Sequence, residues 1–392
     1  MRIAILTSGI MPVPAVQGGA VENLMDFYLE YNNCHRLHDI TIYSVFHPSV
    51  SKHPALQSEV NHYRYIDVSS PLAKLRKKWF KLTHIAGYYH YTIEYYFEQS
   101  FKKISKEHYD VILIENRPAY ALGLQGQTSA RLIYHLHNEK LTIDVPQASQ
   151  IFNAAARIIC VSDYITRCVS AICPSEAGKC VTIHNGINLQ DFSTNANSDL
   201  RKKLNFSNND FIMVYSGRIT QQKGIMELIQ AMNLLKDYHD IKLLVIGSSF
   251  YGNADNRNSF AKALQDEAAT LKERIVFTGF IPYASMPNYL NIADIALVPS
   301  IWDDPFPTTV LEAQAMGLPV ITTCRGGIPE EVTEENAILL QTDEHFIDNL
   351  ASAILDLYEH PEKRERMAAA SLKRSKLFDK ETYAKNFFTA LT

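Results

Sequence analysis

The chain has 392 residues, 46% hydrophobic and 20% charged, the composition of a soluble globular protein too long for one ordinary core. Two domains of roughly 150–200 residues each are expected. A net charge of −4 argues against a nucleic-acid binder. The six cysteines (34, 160, 168, 173, 180 and 324) form no CxxC pair, which disfavours a zinc site or disulfide framework and points to a reducing compartment.

The opening "MRIAILTSG" lacks a charged segment followed by a long apolar run. No stretch reaches the ~18–20 apolar residues of a spanning helix, so a cytoplasmic chain is expected. "RIAILTSG" reads as a buried strand entering a loop, whose Gly18-Gly19 pair opens an amphipathic helix carrying Val21, Leu24, Met25, Tyr28 and Leu29. Further on, "PLAKLRKKWFKL" spaces Leu72, Leu75, Trp79 and Leu82 at helical intervals, with Lys74, Lys77, Lys78 and Lys81 between them. That pattern fits a basic amphipathic helix lying on an anionic membrane surface. The competing and preferred expectation is a helix packing on the N-terminal sheet with a solvated basic face.

The runs "DITIYSVF", "YDVILIE", "RLIYHLH" and "RIICVS" are mostly separated by helical lengths of chain, the β-α alternation of a parallel sheet. Strands buried on both faces read as continuous apolar runs of this kind. Asn185-Gly186 marks a turn, and the polar tract after it is the best linker in the chain. The alternation then restarts with "FIMVYSG", "KLLVIG", "RIVFTGF", "IALVPS" and "LPVITT". Two successive doubly wound α/β domains are predicted, with a boundary in 186–208.

In open α/β sheets, ligands lie outside the carboxyl ends of the strands, beside helix N-termini. Gly18 and Gly19 there suit either close approach to an anion or a tight turn needing positive φ. GxGxxG is absent, which disfavours a dinucleotide fold and an NAD-type oxidoreductase. Arg218 follows a strand and Lys223 precedes a helix, where a cation opposes the helix dipole. They suit a multiply charged anion, the alternative being two solvated surface cations. In "DDPFPTTVLEAQAMG", Thr309 and Glu312 have capping-box spacing, which accounts for both but leaves Asp303 and Asp304 unexplained. Phe306 reads as exposed. Between Asp304 and Glu312 lies a row of N–H groups at Thr308, Thr309 and Val310, suited to phosphate, with sugar hydroxyls at each carboxylate. His135 and His137 end a strand on one face, where a histidine is more often structural than functional.

Taken in order, "TSGIMPVPAVQGGAVENLM", "IYHLHNEK", "IICVSDYI", "VTIHNGIN", "SGRITQQKG", "VFTGFIPYASMPNYLNIADIALVPS" and "DDPFPTTVLEAQAMGLPVI" resemble the retaining GT-B glycosyltransferases of the family-4 type. The resemblance spans essentially the whole chain. It implies two Rossmann-like domains facing a central cleft: residues 1–188 for the acceptor, 189–375 for the nucleotide sugar, and a C-terminal helix in 376–392 packing back on the first domain. It also implies that Arg218 and Lys223 neutralise the donor diphosphate, with Gly18 and Gly19 approaching it from the other domain. Glu312 would contact the ribose, Thr308 to Val310 the phosphate, and Phe280 and Ile281 the base. Phe306 would belong to the donor site, and His137 would stand near the transferred sugar, leaving His135 to packing. The family's usual first glutamate is Asp304 here, and the usual glycine after the phenylalanine is Pro307. The implied reaction retains anomeric configuration and needs neither cofactor nor metal. The donor is a nucleotide sugar, with UDP favoured, and the acceptor a saccharide or lipid-linked saccharide in cell-surface polysaccharide or glycolipid synthesis. No nucleic-acid partner is expected. A nucleotide-sugar epimerase of the same architecture and a non-catalytic sugar-nucleotide binder are the rival readings.

Overall fold

A computed structural model describes residues 1–83, 95–192, 199–247, 259–271 and 273–392. Part of the linker tract, residues 193–198, lies outside them, as do the side chains of Lys77 and Lys81. The chain forms two compact units, residues 1–186 with 380–392 and residues 187–379.

In the first unit seven parallel strands form one sheet. They are β1 (Arg2–Leu6), β2 (Asp39–Val45), β3 (Asn61–Ile66), β4 (Val111–Glu115), β5 (Arg131–Leu136), β6 (Arg157–Cys160) and β7 (Cys180–Thr182), in the order β3-β2-β1-β4-β5-β6-β7. All five residues of β4 are buried, as a strand covered on both faces requires. Helix α1 (Ala20–His35) lays Leu24, Met25, Tyr28 and Leu29 on this sheet. The C-terminal helix Lys380–Leu391 covers α1 in turn: Phe387 stacks on Tyr28 with ring centroids 4.1 Å apart, and Phe388 meets the same ring edge-on. Fully burying each such side chain is worth roughly 1.5–3 kcal/mol.

Helix α2 (Pro71–Thr83) departs from the preferred expectation. Its apolar stripe does not pack on the sheet: Leu72, Leu75, Trp79 and Leu82 are 64–74% exposed. Ala73, on the opposite side of the helix, is buried. Among the described residues no helix is long and apolar enough to cross a membrane.

The second unit repeats the architecture with six parallel strands: β8 (Phe211–Ser216), β9 (Ile241–Ile246), β10 (Ile275–Gly279), β11 (Ile295–Val298), β12 (Val320–Thr323) and β13 (Ala337–Leu340). Their order is β10-β9-β8-β11-β12-β13. The core gathers Met213, Leu243, Leu228, Ile295, Ile321 and Ile354. In both sheets the strand order reverses beside the first strand, at β1/β4 and at β8/β11. Those reversals are where α/β sheets open a crevice for ligands.

Candidate active site

At the β8/β11 reversal the chain leaves β8 through Gly217, passes Arg218, and turns at Gly224 (φ 70°) into the helix Ile225–Leu234. A Cβ on Gly224 would lie 1.7 Å from the Pro299 carbonyl oxygen, so no larger residue fits without moving the backbone. This close approach docks the 217–224 loop against the segment after β11. Ile301 N–H donates to the Gln222 carbonyl at 3.1 Å. The docking brings Lys223 to Asp304, and Nζ and Oδ2 form an ion pair with the two side chains 20% and 7% exposed. Lys223 also stands 5.9 Å from the centre of the Trp302 ring. Arg218 is exposed, whereas Lys223 is half-buried. Lys223 is therefore not a freely solvated cation.

Asp303 and Asp304 diverge. Asp303 Oδ1 accepts from Gly326 N–H and pairs with Arg325 Nε, both at 3.2 Å. Asp304 is buried, and its carbonyl accepts from Gly327 N–H at 2.8 Å. Behind this pair lies Glu331, a residue that sequence reasoning missed. It is fully buried, and neither carboxylate oxygen has a hydrogen-bond partner among the described residues. Burial, and then the charge of Asp304, pushes its pKa well above the ordinary carboxylate range.

The helix after "DDPFP" runs Thr308–Ala315, two residues earlier than a Thr309 cap would place it. The expected capping box does not form. Pro307 occupies the cap position with an extended backbone, and no side chain caps the helix. Glu312 is instead buried, bonded to the Thr308 hydroxyl, and burial pushes its pKa up to about 8 against that hydrogen bond. Phe306 is not exposed either: it is 3% exposed and meets Phe378 edge-on at 5.7 Å. The first turn at Thr308, Thr309 and Val310 presents the positive end of the helix. Phe280, 66% exposed, and the half-buried Ile281 follow β10. Tyr283, a further residue missed from sequence, has its hydroxyl pKa raised by burial and by the charges of Glu312 and Asp191.

In the first unit, strand register does what spacing alone could not reveal. Glu115 on β4 is paired with His135 on β5, so its fully buried carboxylate sits beside both histidines. Glu115 Oε1 accepts from the Tyr28 hydroxyl at 2.8 Å, and the carboxylate meets His135 Nδ1 at 3.1 Å and His137 Nε2 at 3.0 Å. Burial alone would raise the Glu115 pKa; the charge and hydrogen bonds of His135 and His137 outweigh it and hold the carboxyl well below its usual range. Burial lowers His137 to about 4, so its imidazole is neutral near pH 7. His135 is thus more than packing. The three residues bring ligand atoms within 4.8 Å of one another, a spacing open to a metal ion. The ring nitrogens facing the carboxylate are already accounted for as hydrogen-bond donors to it. The outward nitrogen of His137, Nδ1, is buried without a hydrogen-bond partner among the described residues.

Gly18 (φ 75°) and Gly19 (φ 108°) lead into α1 from the same strand-order reversal. Asp26, not foreseen from sequence, braces their loop by accepting from Ala15 N–H at 2.9 Å. Glu22 lies against Gly19, and burial pushes its pKa up to about 7.

Two doubly wound parallel sheets, each with polar side chains at its strand-order reversal, define a Rossmann-like α/β architecture. Residues 197–374 match the family model of glycosyl transferases group 1. The chain is 27% identical over 383 residues to spore coat protein SA of Bacillus subtilis (strain 168), covering 95% of this chain and 93% of that one. It is also 27% identical over 285 residues to the lipopolysaccharide 1,2-N-acetylglucosaminetransferase of Salmonella typhimurium, covering 72% and 71%. The solved structure of Anabaena HepE in complex with UDP-glucose shares the fold, with a TM-score of 0.74 at 20% identity, covering 100% and 98%.

Proposed function

We propose that the chain transfers a sugar, with retention of anomeric configuration, from a UDP-sugar to a saccharide or lipid-linked saccharide of the cell surface. It does so as a peripheral protein at the inner membrane face. One observation carries the reading. At a single strand-order reversal the second unit assembles Arg218, Lys223, a helix N-terminus at Thr308 and the carboxyls of Asp304 and Glu312. Cations and helix N–H groups match a diphosphate, and carboxyls match sugar hydroxyls. The UDP-glucose bound by HepE and the N-acetylglucosaminyl transfer named for the Salmonella relative support donor and acceptor class.

On this reading Arg218, Lys223 and the helix N-terminus take the charge developing on the leaving diphosphate, the task a divalent ion would otherwise perform, so no metal is required. The donor C–O bond breaks, the diphosphate accepts the proton of the incoming acceptor hydroxyl on the same face, and the new glycosidic bond forms there. Glu312 holds the ribose, Phe280 and Ile281 flank the base, and His137 meets the transferred sugar. Thermal-shift screening against UDP-, GDP- and ADP-sugars tests the donor: a ligand at 100 times its Kd adds about 2.7 kcal/mol of apparent stability. NMR of the product then reads the anomeric configuration. Stabilisation by GDP- or ADP-sugars alone would overturn the UDP assignment. An inverted product would overturn retention, and an isomerised sugar nucleotide formed without acceptor would make the chain an epimerase.

A further inference from the structure

Helix α2 is amphipathic in an unusual orientation. Leu72, Leu75, Trp79 and Leu82 recur at intervals of three and four, which places them on one stripe along the helix. All four are about two-thirds exposed or more, at 74%, 67%, 64% and 68%. The helix is fixed from the other side: Ala73 is fully buried, and its N–H donates to the Ser70 hydroxyl at 3.3 Å. Arg76 pairs with Glu98 on the following helix Tyr95–Ile104 at 2.5 Å. The rotation that exposes the apolar stripe is thus held by packing and an ion pair on the opposite and flanking faces.

The charge around the stripe identifies what it meets. Residues 71–83 contain five basic side chains (Lys74, Arg76, Lys77, Lys78 and Lys81) and no acid, in a chain whose net charge is −4. Lys74, Arg76 and Lys78 are exposed. Two copies of so basic a segment repel, which disfavours pairing with a second copy of this chain. A leucine-tryptophan stripe bordered by lysines has the complementary pattern for a bilayer: the apolar side chains enter the acyl boundary, tryptophan sits at the headgroup level, and lysines extend to anionic phosphates. We propose that α2 is a docking surface for an anionic lipid bilayer, with Leu72, Leu75, Trp79 and Leu82 inserted and Lys74 and Lys78 held at the headgroups. This deepens the peripheral placement proposed above and rests on that part of the reading, not on the transfer chemistry.

The test is co-sedimentation of the full chain with vesicles of phosphatidylcholine alone and of phosphatidylcholine with one-third phosphatidylglycerol, without sugar nucleotide. Binding to the anionic vesicles is expected, falling as salt rises. Lys74→Gln with Lys78→Gln should cut it by roughly tenfold or more. Leu75→Ser with Trp79→Ser should abolish it in a protein whose circular dichroism and melting match the parent, since both positions are exposed. A blue shift of tryptophan emission on vesicle binding, absent from Trp79→Phe, would place the ring in the interface. Parental protein that fails to bind anionic vesicles overturns the proposal, as does equal binding by the serine variant. Concentration-dependent dimerisation removed by the same serines also overturns it, in favour of a second copy. Because no donor is present, loss of the transferase reading leaves this result standing, and failed docking leaves transfer untouched.

Discussion

Lys223 and Asp304, 81 residues apart in sequence, form an ion pair at the end of the second sheet. In the proposed donor site one would serve phosphate and the other sugar, and the ion pair holds each against the other. The pairing separates Lys223 from Arg218, although the two look equivalent in "SGRITQQKG".

Arg218→Ala and Lys223→Ala should therefore share one effect and differ in another. Both should lower turnover by roughly 10²-fold or more, the loss expected for one charge-stabilising donor. Arg218 is exposed, and its removal should leave the melting temperature unchanged. Lys223→Ala strands a buried carboxylate and should destabilise by on the order of 2 kcal/mol, discounted from a fully buried pair because the lysine is 20% exposed. Thermal melts alongside turnover check this, and near-parental turnover in both variants would remove them from the phosphate site.

Asp304→Asn and Asp303→Asn separate adjacent carboxylates. Asp304 is buried against Lys223, while Asp303 is tied to Arg325 and the Gly326 backbone. Asp304→Asn should depress transfer strongly while UDP affinity changes little, because the nucleotide is held by other groups. Asp303→Asn should do much less to transfer. Rates and UDP binding measured on both variants decide it; a collapse of UDP affinity in Asp304→Asn would move this residue from sugar to phosphate.

Glu331 makes stability depend on pH in a direction that can be worked out. Its folded pKa lies well above 4.5, through burial first and the Asp304 charge second. Below about 4.5 it is protonated in both folded and unfolded chains, and its contribution is fully present. As pH rises from there the unfolded carboxyl ionises first, and stability is lost until the folded pKa is passed. Glu331→Gln should abolish this term. Relative to the parent the variant should gain on the order of 1 kcal/mol per pH unit as pH rises above the unfolded carboxyl's range, until the raised folded pKa is passed. Denaturant melts at several pH values read the difference directly, which cancels the opposing slope from His137. A pH-independent difference would show Glu331 to be ionised in the fold.

Much of the fold was legible because parallel strands buried on both faces must be apolar throughout, as "VILIE" and "IKLLVI" are. Residues at strand ends, such as Arg218 and Asp304, were legible because loops there have few structural reasons to carry charge. What escaped depends on contacts far apart in sequence. Glu331 in "PEEVTEEN" looks like one more surface acid until its short helix Ile328–Glu331 is seen to turn it inward. The capping-box spacing was real, yet Pro307 sets the helix start two residues early, and Glu312 is a buried acid. The α2 stripe showed the reverse: its periodicity was plain, but periodicity cannot say whether an apolar face is buried or solvent-exposed.

Glu115 escaped for the same reason, and it carries the last expectation. A glutamate closing a strand reads as a solvated end, whereas register places it between two histidines and Tyr28. By accepting from His137 Nε2 it fixes the imidazole in the tautomer that leaves Nδ1 as a lone-pair acceptor. Nδ1 is buried with no partner among the described residues, so a sugar hydroxyl donating to it would complete the set. Glu115→Gln keeps the shape but offers one accepting oxygen, two lone pairs for the three donors Tyr28, His135 and His137, so at least one of them must reorient, change tautomer or lose its bond. Transfer should fall by at least about tenfold while UDP affinity stays near parental, and stability should drop by roughly 3 kcal/mol as buried hydrogen bonds are lost. Because burial holds His137 at about 4, the parental rate profile should show no acid limb near pH 6.5. Nitrogen-15 spectra of labelled histidine report the tautomer independently of activity. A Glu115→Gln protein that melts early yet transfers at the parental rate per folded molecule would reduce Glu115 to a structural part, and an acid limb at pH 6.5 would mean that His137 works as a cation.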